Sequence, residues 1–353
     1  MSTQNLPELI NQASINVQDI LQHSLKLESP SKVLVVYDCE YELTVILSES
    51  YKLALKKLSI DANFCLFDEK NPENSAKIKA LFEEYTENDL VVLIQTTNFR
   101  LNDFRIRLNL FSKKLKVIEH LHLGRNKPES FEVYINSLKY DENTRNWYFS
   151  MKDKLIQTLG KTTKLEFKAL DASLEVGPVE IPKINIGDYT GMENIGGTFP
   201  IGEVFTEAKS FESMNGSIYI YGFADRNFNI SFYEPFRLDI EKGLVVGFGE
   251  NAPQEFIEIV DLIKTMERPL IREIGFGLNQ AMTKEQPLGD ITAYERILGI
   301  HFSLGEKHSV YKKPGITVNK TKFHVDLFLC IEQVNAVCGD KTTLIMDESG
   351  YRL

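Results

Sequence analysis

Three of the six histidines in this 353-residue chain, His301, His308 and His324, fall in its last sixth. One of them heads the segment Phe323-His324-Val325-Asp326-Leu327-Phe328-Leu329. On an extended strand, residues two apart share a face. The imidazole of His324 and the carboxylate of Asp326 then point the same way, while Val325 and Leu327 face the core. A nitrogen and an oxygen donor side by side make a natural pair of ligands for a divalent ion. The competing reading is a His–Asp hydrogen bond on a solvated sheet face.

Three further segments hold residues able to join them. Gly299-Ile300-His301-Phe302-Ser303-Leu304-Gly305 sets a histidine in a small, apolar stretch where a backbone can approach closely; the plain alternative is a core histidine with a satisfied ring. In Gly197-Thr198-Phe199-Pro200-Ile201-Gly202-Glu203-Val204-Phe205, glycine and proline fix a tight entry to a strand that begins with Glu203, otherwise an edge-strand glutamate. In Ile271-Arg272-Glu273-Ile274-Gly275-Phe276-Gly277-Leu278-Asn279, Glu273 shares a strand face with Gly275 among apolar neighbours. A carboxylate in such surroundings needs a cation, either Arg272 or a metal. Each segment alone has an ordinary structural explanation.

In this order the segments resemble one family. N-x-G-G-x-F-P-x-G-E-V-F-T, then R-E-I-G-x-G-x-N, then E-x3-G-x-H-x-x-L-G, then H-x-D are similar to the motifs of the metalloaminopeptidases of the aminopeptidase T and S type, with their leucyl-aminopeptidase-like relatives. The resemblance covers roughly residues 190 to 335. It implies one or two divalent ions per chain (Zn, Co, Mn or Mg), held by Glu203, Glu273, His301, His324 and Asp326, with Glu273 between two metals. Two ions about 3.5–4 Å apart polarise a scissile carbonyl and generate hydroxide at neutral pH. A free α-amine of a peptide substrate could ligate one of them, restricting cleavage to N-terminal residues.

The chain departs from the family's pattern at named positions. The acidic ligand expected five residues before the first histidine is Arg296, with Glu295 one step earlier as its substitute. The catalytic tyrosine expected seven residues after that histidine is His308, so either His308 donates to the oxyanion or Tyr311 reaches in. The length, short for such peptidases, fits another branch of the same fold, resembling 2,5-dihydroxypyridine dioxygenase. There His301, His324 and Asp326 would hold a single Fe(II) with open positions for oxygen and a small-molecule substrate. A non-catalytic relative with a degraded site is the third alternative.

The elements that must position these residues follow two grammars. Up to about residue 160, short apolar runs alternate with helical patterns: strands at 32–38, 63–67, 90–94 and 117–121, helices at 43–58, 75–85 and 101–115. Continuous apolar strands separated by helices indicate a mainly parallel sheet covered on both faces. No G-x-G-x-x-G or phosphate loop occurs there, and Asp38 reads as an acid closing a strand and capping the next helix. Beyond residue 180 strands dominate, at 217–221, 236–240, 244–248 and 322–333, with one helix at 254–266 and a Glu241-Lys242-Gly243 hairpin turn. The expected organisation is an α/β domain over 1–180 and a metal-binding catalytic α+β domain, rich in antiparallel strands, over 181–353.

Composition narrows the classes. Fifty acidic against forty basic residues give a net charge of -10, which argues against a nucleic-acid partner. Lys113-Lys114 and Lys312-Lys313 are short solvated clusters. No apolar run approaches the ~20 residues that span a bilayer. The N-terminus reads as an amphipathic helix through Leu6, Ile10, Val17, Leu21 and Leu25 rather than a signal peptide. Cys39, Cys65 and Cys330 sit in apolar runs as buried reduced thiols and Cys338 starts a turn, so a cytoplasmic protein is expected. A homodimer without nucleic-acid or membrane partners completes the reading.

Overall fold

Strand–helix alternation in the first part of the chain builds a five-stranded sheet. The computed structural model describes residues 6–68, 72–99, 106–225, 229–308 and 310–353. The chain divides into two compact units. One comprises residues up to Asn146 with Gly187–Ile201 and Glu285–Ala293; the other comprises Trp147–Ile186, Gly202–Lys284 and Tyr294–Leu353. The sequence reading placed a single boundary near residue 180.

In the first unit, β1 (Val33–Tyr37), β2 (Ala62–Leu66), β3 (Leu90–Ile94) and β4 (Lys116–His120) lie parallel in the order β2-β1-β3-β4. The strand β3 is buried at every position, as expected of a continuous apolar strand covered on both faces, and β4 is equally buried although it carries Lys116, Glu119 and His120. Helices α1 (Leu6–Asp19), α2 (Glu42–Lys57), α3 (Pro72–Phe82), α4 (Ile106–Ser112) and α5 (Phe131–Ser137) accompany them. One face packs Leu34, Val36, Val91, Leu93 and Val117 with Ile78 and Phe82 of α3 and Ile106 and Leu110 of α4. The period of two along each strand selects these residues. The start of the helix expected from Leu101 lies outside the described residues. Asp38 does not cap α2: its carboxylate accepts from the Thr96 backbone N–H at 2.7 Å and from the Thr96 hydroxyl, tying the loop after β1 to that after β3. At the end of β4, the fully buried His120 ring lies between the hydroxyls of Tyr51 (2.8 Å) and Tyr134 (2.9 Å).

The chain passes into the second unit along α6 (Glu142–Leu159). Next come β5 (Lys164–Ala169), β6 (Ala172–Val176) and β7 (Lys183–Asn185), which pair in an antiparallel sheet although the first two precede residue 180. The first motif is then divided. Gly196–Phe199 forms β8, parallel to β4 in the first sheet, and Glu203–Thr206 forms β9 in the second. The second sheet is completed by β10 (Met214–Ala224), β11 (Ile230–Glu241), β12 (Leu244–Phe248), β13 (Ile271–Gly277), β14 (Gly299–Leu304), β15 (Val325–Cys330), β16 (Gln333–Cys338), β17 (Lys341–Asp347) and β18 (Gly350–Tyr351). Its order is β18-β17-β16-β5-β6-β10-β15-β14-β13-β9-β7, with β11 and β12 attached through β10. The single strand expected over 322–333 is therefore the whole of β15 together with the first residue of β16. At the β11–β12 hairpin, Lys242 and Gly243 both have positive φ, 50° and 75°, a geometry glycine adopts without cost. Helix α7 (Gln254–Lys264) packs Phe256 against Phe223 of β10 and Phe236 of β11.

Among the described residues no helix is long and apolar enough to cross a membrane. All four cysteines are free, but only Cys65 is buried; Cys39 and Cys338 are exposed and Cys330 is intermediate. Cys39 lies past the end of β1, where the apolar run gives way to a solvent-facing loop.

Candidate metal centre

Four adjacent strands of the second unit, in the order β15-β14-β13-β9, supply most of the donors. Their register sets His301 opposite Gly275 on one side and Phe328 on the other, Ser303 opposite Asp326, and Glu203 opposite Gly277. A Cβ on residue 275 would stand 2.1 Å from the His301 ring. Glycine at that position is what leaves room for the imidazole across the neighbouring strand. The pairing of β13 with β14 shifts between Ile271 and Ile274, an irregularity that re-aims side chains. Arg272 and Glu273 lie within it.

The donors fall into two groups whose atoms lie within 4.8 Å of one another: Glu203, Glu273 and His301, and Glu273, Glu295, His324 and Asp326. Glu273 belongs to both. His301 Nε2 is 3.4 Å from Glu203 Oε1 and 3.5 Å from Glu273 Oε1. His324 Nε2 is 3.2 Å from Asp326 Oδ1 and 3.6 Å from Glu295 Oε1, so the two-residue period at H-x-D brings that pair together. The other ring nitrogen of His324, Nδ1, is 3.0 Å from the Lys307 carbonyl. A carbonyl only accepts, so Nδ1 carries a proton and Nε2 is the nitrogen on the side of the carboxylates, the orientation in which a histidine would ligate a metal.

The fit to a divalent ion rests on buried polar atoms that make no hydrogen bond. His301 is fully buried, and neither of its ring nitrogens makes a hydrogen bond; Glu203 Oε1 and Asp326 Oδ1 are likewise buried and make none, although each lies near an imidazole. Buried polar atoms are ordinarily satisfied. Four carboxylates, those of Glu203, Glu273, Glu295 and Asp326, make up the two groups, and among the described residues the guanidinium of Arg296 pairs with two of them, Glu203 and Glu295. Burial would depress His301, yet Glu203 and Glu273 raise it to about 9. Burial opposes and Asp326 overrides at His324, also raised to about 9. Burial would push the Glu273 carboxyl up, but the imidazoles of His301 and His308 hold it well below the carboxylate range. The common cause is excess carboxylate charge, which a divalent ion neutralises with release of protons.

His308 belongs to neither donor group. Its Nε2 lies 2.6 Å from Glu273 Oε2 and its Nδ1 3.4 Å from Glu207 Oε2, so the ring supports a candidate ligand instead of facing an open position. Against burial, the Glu207 and Glu273 carboxylates raise its pKa. The Tyr311 ring stacks on His308, but its hydroxyl donates to the carbonyls of Ile181 at 2.7 Å and Phe205 at 3.3 Å. Tyr311 is thus committed to backbone and does not reach the donors. Partners of ligands typically contribute about 10- to 100-fold to metal affinity. His308→Ala is expected to weaken Zn²⁺ or Co²⁺ binding by that order in a calorimetric titration; unchanged affinity would show that Glu273 is oriented without it.

Arg272 is not the cation of Glu273. Its Nη2 lies 2.9 Å from Glu207 Oε2, both side chains fully buried, and its Nη1 donates to the Glu306 carbonyl at 2.7 Å. Sequence reading missed Glu207, which follows the strand that Glu203 opens and belongs to no recognisable motif. It also missed Ser303, whose Oγ accepts the Glu273 backbone N–H at 3.0 Å.

No protein-family model matches the chain, and no curated protein matches its sequence. Among solved structures the chain is similar to wild-type AmpT from Thermus thermophilus, with a TM-score of 0.64 at 13% identity over 96% of this chain and 99% of that one. The likeness is one of fold: an α/β parallel sheet and a large antiparallel sheet.

Proposed function

We propose that this chain is a metal-dependent hydrolase of the aminopeptidase type, releasing N-terminal residues from peptides. One observation carries the reading: the carboxylates of Glu273, Glu295 and Asp326 converge on the His324 ring, one donor atom from each lying within 4.8 Å of the others. A fold shared with AmpT, an aminopeptidase T, supports it. Glu273, Glu295, His324 and Asp326 form one group that would hold a metal and Glu203, Glu273 and His301 a second, and imidazole with carboxylate donors suits zinc or neighbouring first-row ions. When bound, such an ion supplies Lewis-acid polarisation of the scissile carbonyl and a water that ionises near neutral pH.

The chain's own residues do the rest. His308 holds Oε2 of Glu273 and leaves Oε1 turned toward His301. The Lys307 carbonyl fixes the His324 ring. A carboxylate-rich centre draws the cationic α-amine of a peptide and gives no such attraction to a blocked N-terminus.

The dioxygenase alternative needs His301, His324 and Asp326 around one ion. Among the described residues, His301 shares no donor group with His324 or Asp326, so the geometry offers that triad no support. The test is turnover of free and N-acetylated forms of one peptide by the metal-analysed protein. Cleavage of the free peptide alone, lost on chelation, is the expected outcome. Metal-loaded protein that cleaves neither, or that consumes oxygen with an aromatic diol, would reject the reading, and folded protein without any metal would leave the degraded-site alternative.

A further inference from the structure

Arg296 touches both donor groups. Its Nη2 is 3.4 Å from Oε2 of Glu203, in the three-residue group, and its Nη1 pairs with Oε2 of Glu295, in the four-residue group. The side chain is 9% exposed. Glu203 and Glu295 each therefore have one oxygen on the guanidinium and the other near an imidazole, at 3.4 Å from His301 and 3.6 Å from His324.

We propose that Arg296 is a built-in cation that replaces one of two divalent ions. The chain then holds a single ion tightly, at Glu273, Glu295, His324 and Asp326, with no second site of comparable affinity. This rests on the metal-centre reading above.

Charge and donor count both lead there. Four carboxylates balance two divalent ions. A guanidinium is permanently protonated, so with Arg296 among them a second ion would sit beside a buried positive charge and leave the cluster net positive. At such range, in a partly buried site, unit charges interact by several times the thermal energy. The guanidinium also offers donors only, so each carboxylate oxygen it engages is withdrawn from a metal. The four-residue group keeps Glu273, His324 and Asp326 free of it, whereas the three-residue group keeps only Glu273 and His301. His301, whose ring nitrogens make no hydrogen bond, is the imidazole of the group that Arg296 enters through Glu203.

The test counts ions. Purified full-length protein is equilibrated with Zn²⁺ or Co²⁺ and assayed by elemental analysis and calorimetry. One tight ion per chain is expected in wild type and in Arg296→Lys, which keeps the charge. In Arg296→Gln a second ion should bind on the order of 100-fold more tightly than in wild type. Two ions of comparable affinity in wild type would overturn the proposal whether or not the variants fold, and so would a folded Arg296→Gln that still takes one. Folded wild type that binds no ion would overturn the metal-centre reading itself, and this proposal with it.

Discussion

Glu273→Gln is expected to abolish divalent-ion binding at the proposed centre and the proposed peptidase turnover together. Glu273 is the one residue common to both donor groups, so losing its charge weakens whichever group an ion occupies. An amide nitrogen cannot ligate as a carboxylate oxygen does, and the isosteric change leaves the volume within β13 intact. If partners of ligands typically contribute about 10- to 100-fold in affinity, removal of a shared ligand should exceed the upper figure, with turnover falling at least as far. Glu203→Gln provides the contrast: Glu203 belongs only to the three-residue group and already spends one oxygen on Arg296, so its loss should matter less. Circular dichroism should confirm that both variants fold. Full metal occupancy and activity in Glu273→Gln would show that the centre has been misplaced.

The second large effect concerns stability toward acid and lies in the first unit. Among the described residues His120 has no charged partner, and burial between two tyrosine hydroxyls depresses its pKa to about 3. The folded value lies below the unfolded value of about 6.5, so the unfolded chain takes up the proton first. Stability from this residue is intact above pH 6.5 and is lost as pH falls from 6.5 toward 3. Linkage gives a loss on the order of 4 kcal/mol over that window, and about 2 to 3 kcal/mol by pH 4.5. His120→Gln retains hydrogen-bonding capacity but cannot titrate. Urea unfolding at pH 7 and pH 4.5 should therefore show a drop in wild type that exceeds the drop in His120→Gln by that 2 to 3 kcal/mol. Equal drops would mean that His120 is already charged, or solvated, in the native state.

Local pattern made part of this protein legible from sequence. The apolar runs that became β1 and β3 carry their burial in their own composition. The helix α7 was legible in its apolar spacing and the β11–β12 hairpin in its Lys242-Gly243 turn. The His324–Asp326 pair was legible because a strand repeats every two residues. Tertiary structure alone decided the rest. Which strand lies beside β13, and in what register, depends on contacts between segments far apart in the chain, and a one-residue slip would turn every side chain to the other face. That register brings Gly275 under His301 and sets Glu203 beside it. Arg272 precedes Glu273 directly, yet the irregularity in β13 and the alternation of strand faces send it to Glu207. Tyr311 follows His308 closely, yet its hydroxyl ends on backbone carbonyls. The sequence by itself determined which residues are equipped to bind a metal; only the packing of distant strands decided which carboxylate each imidazole and each guanidinium meets.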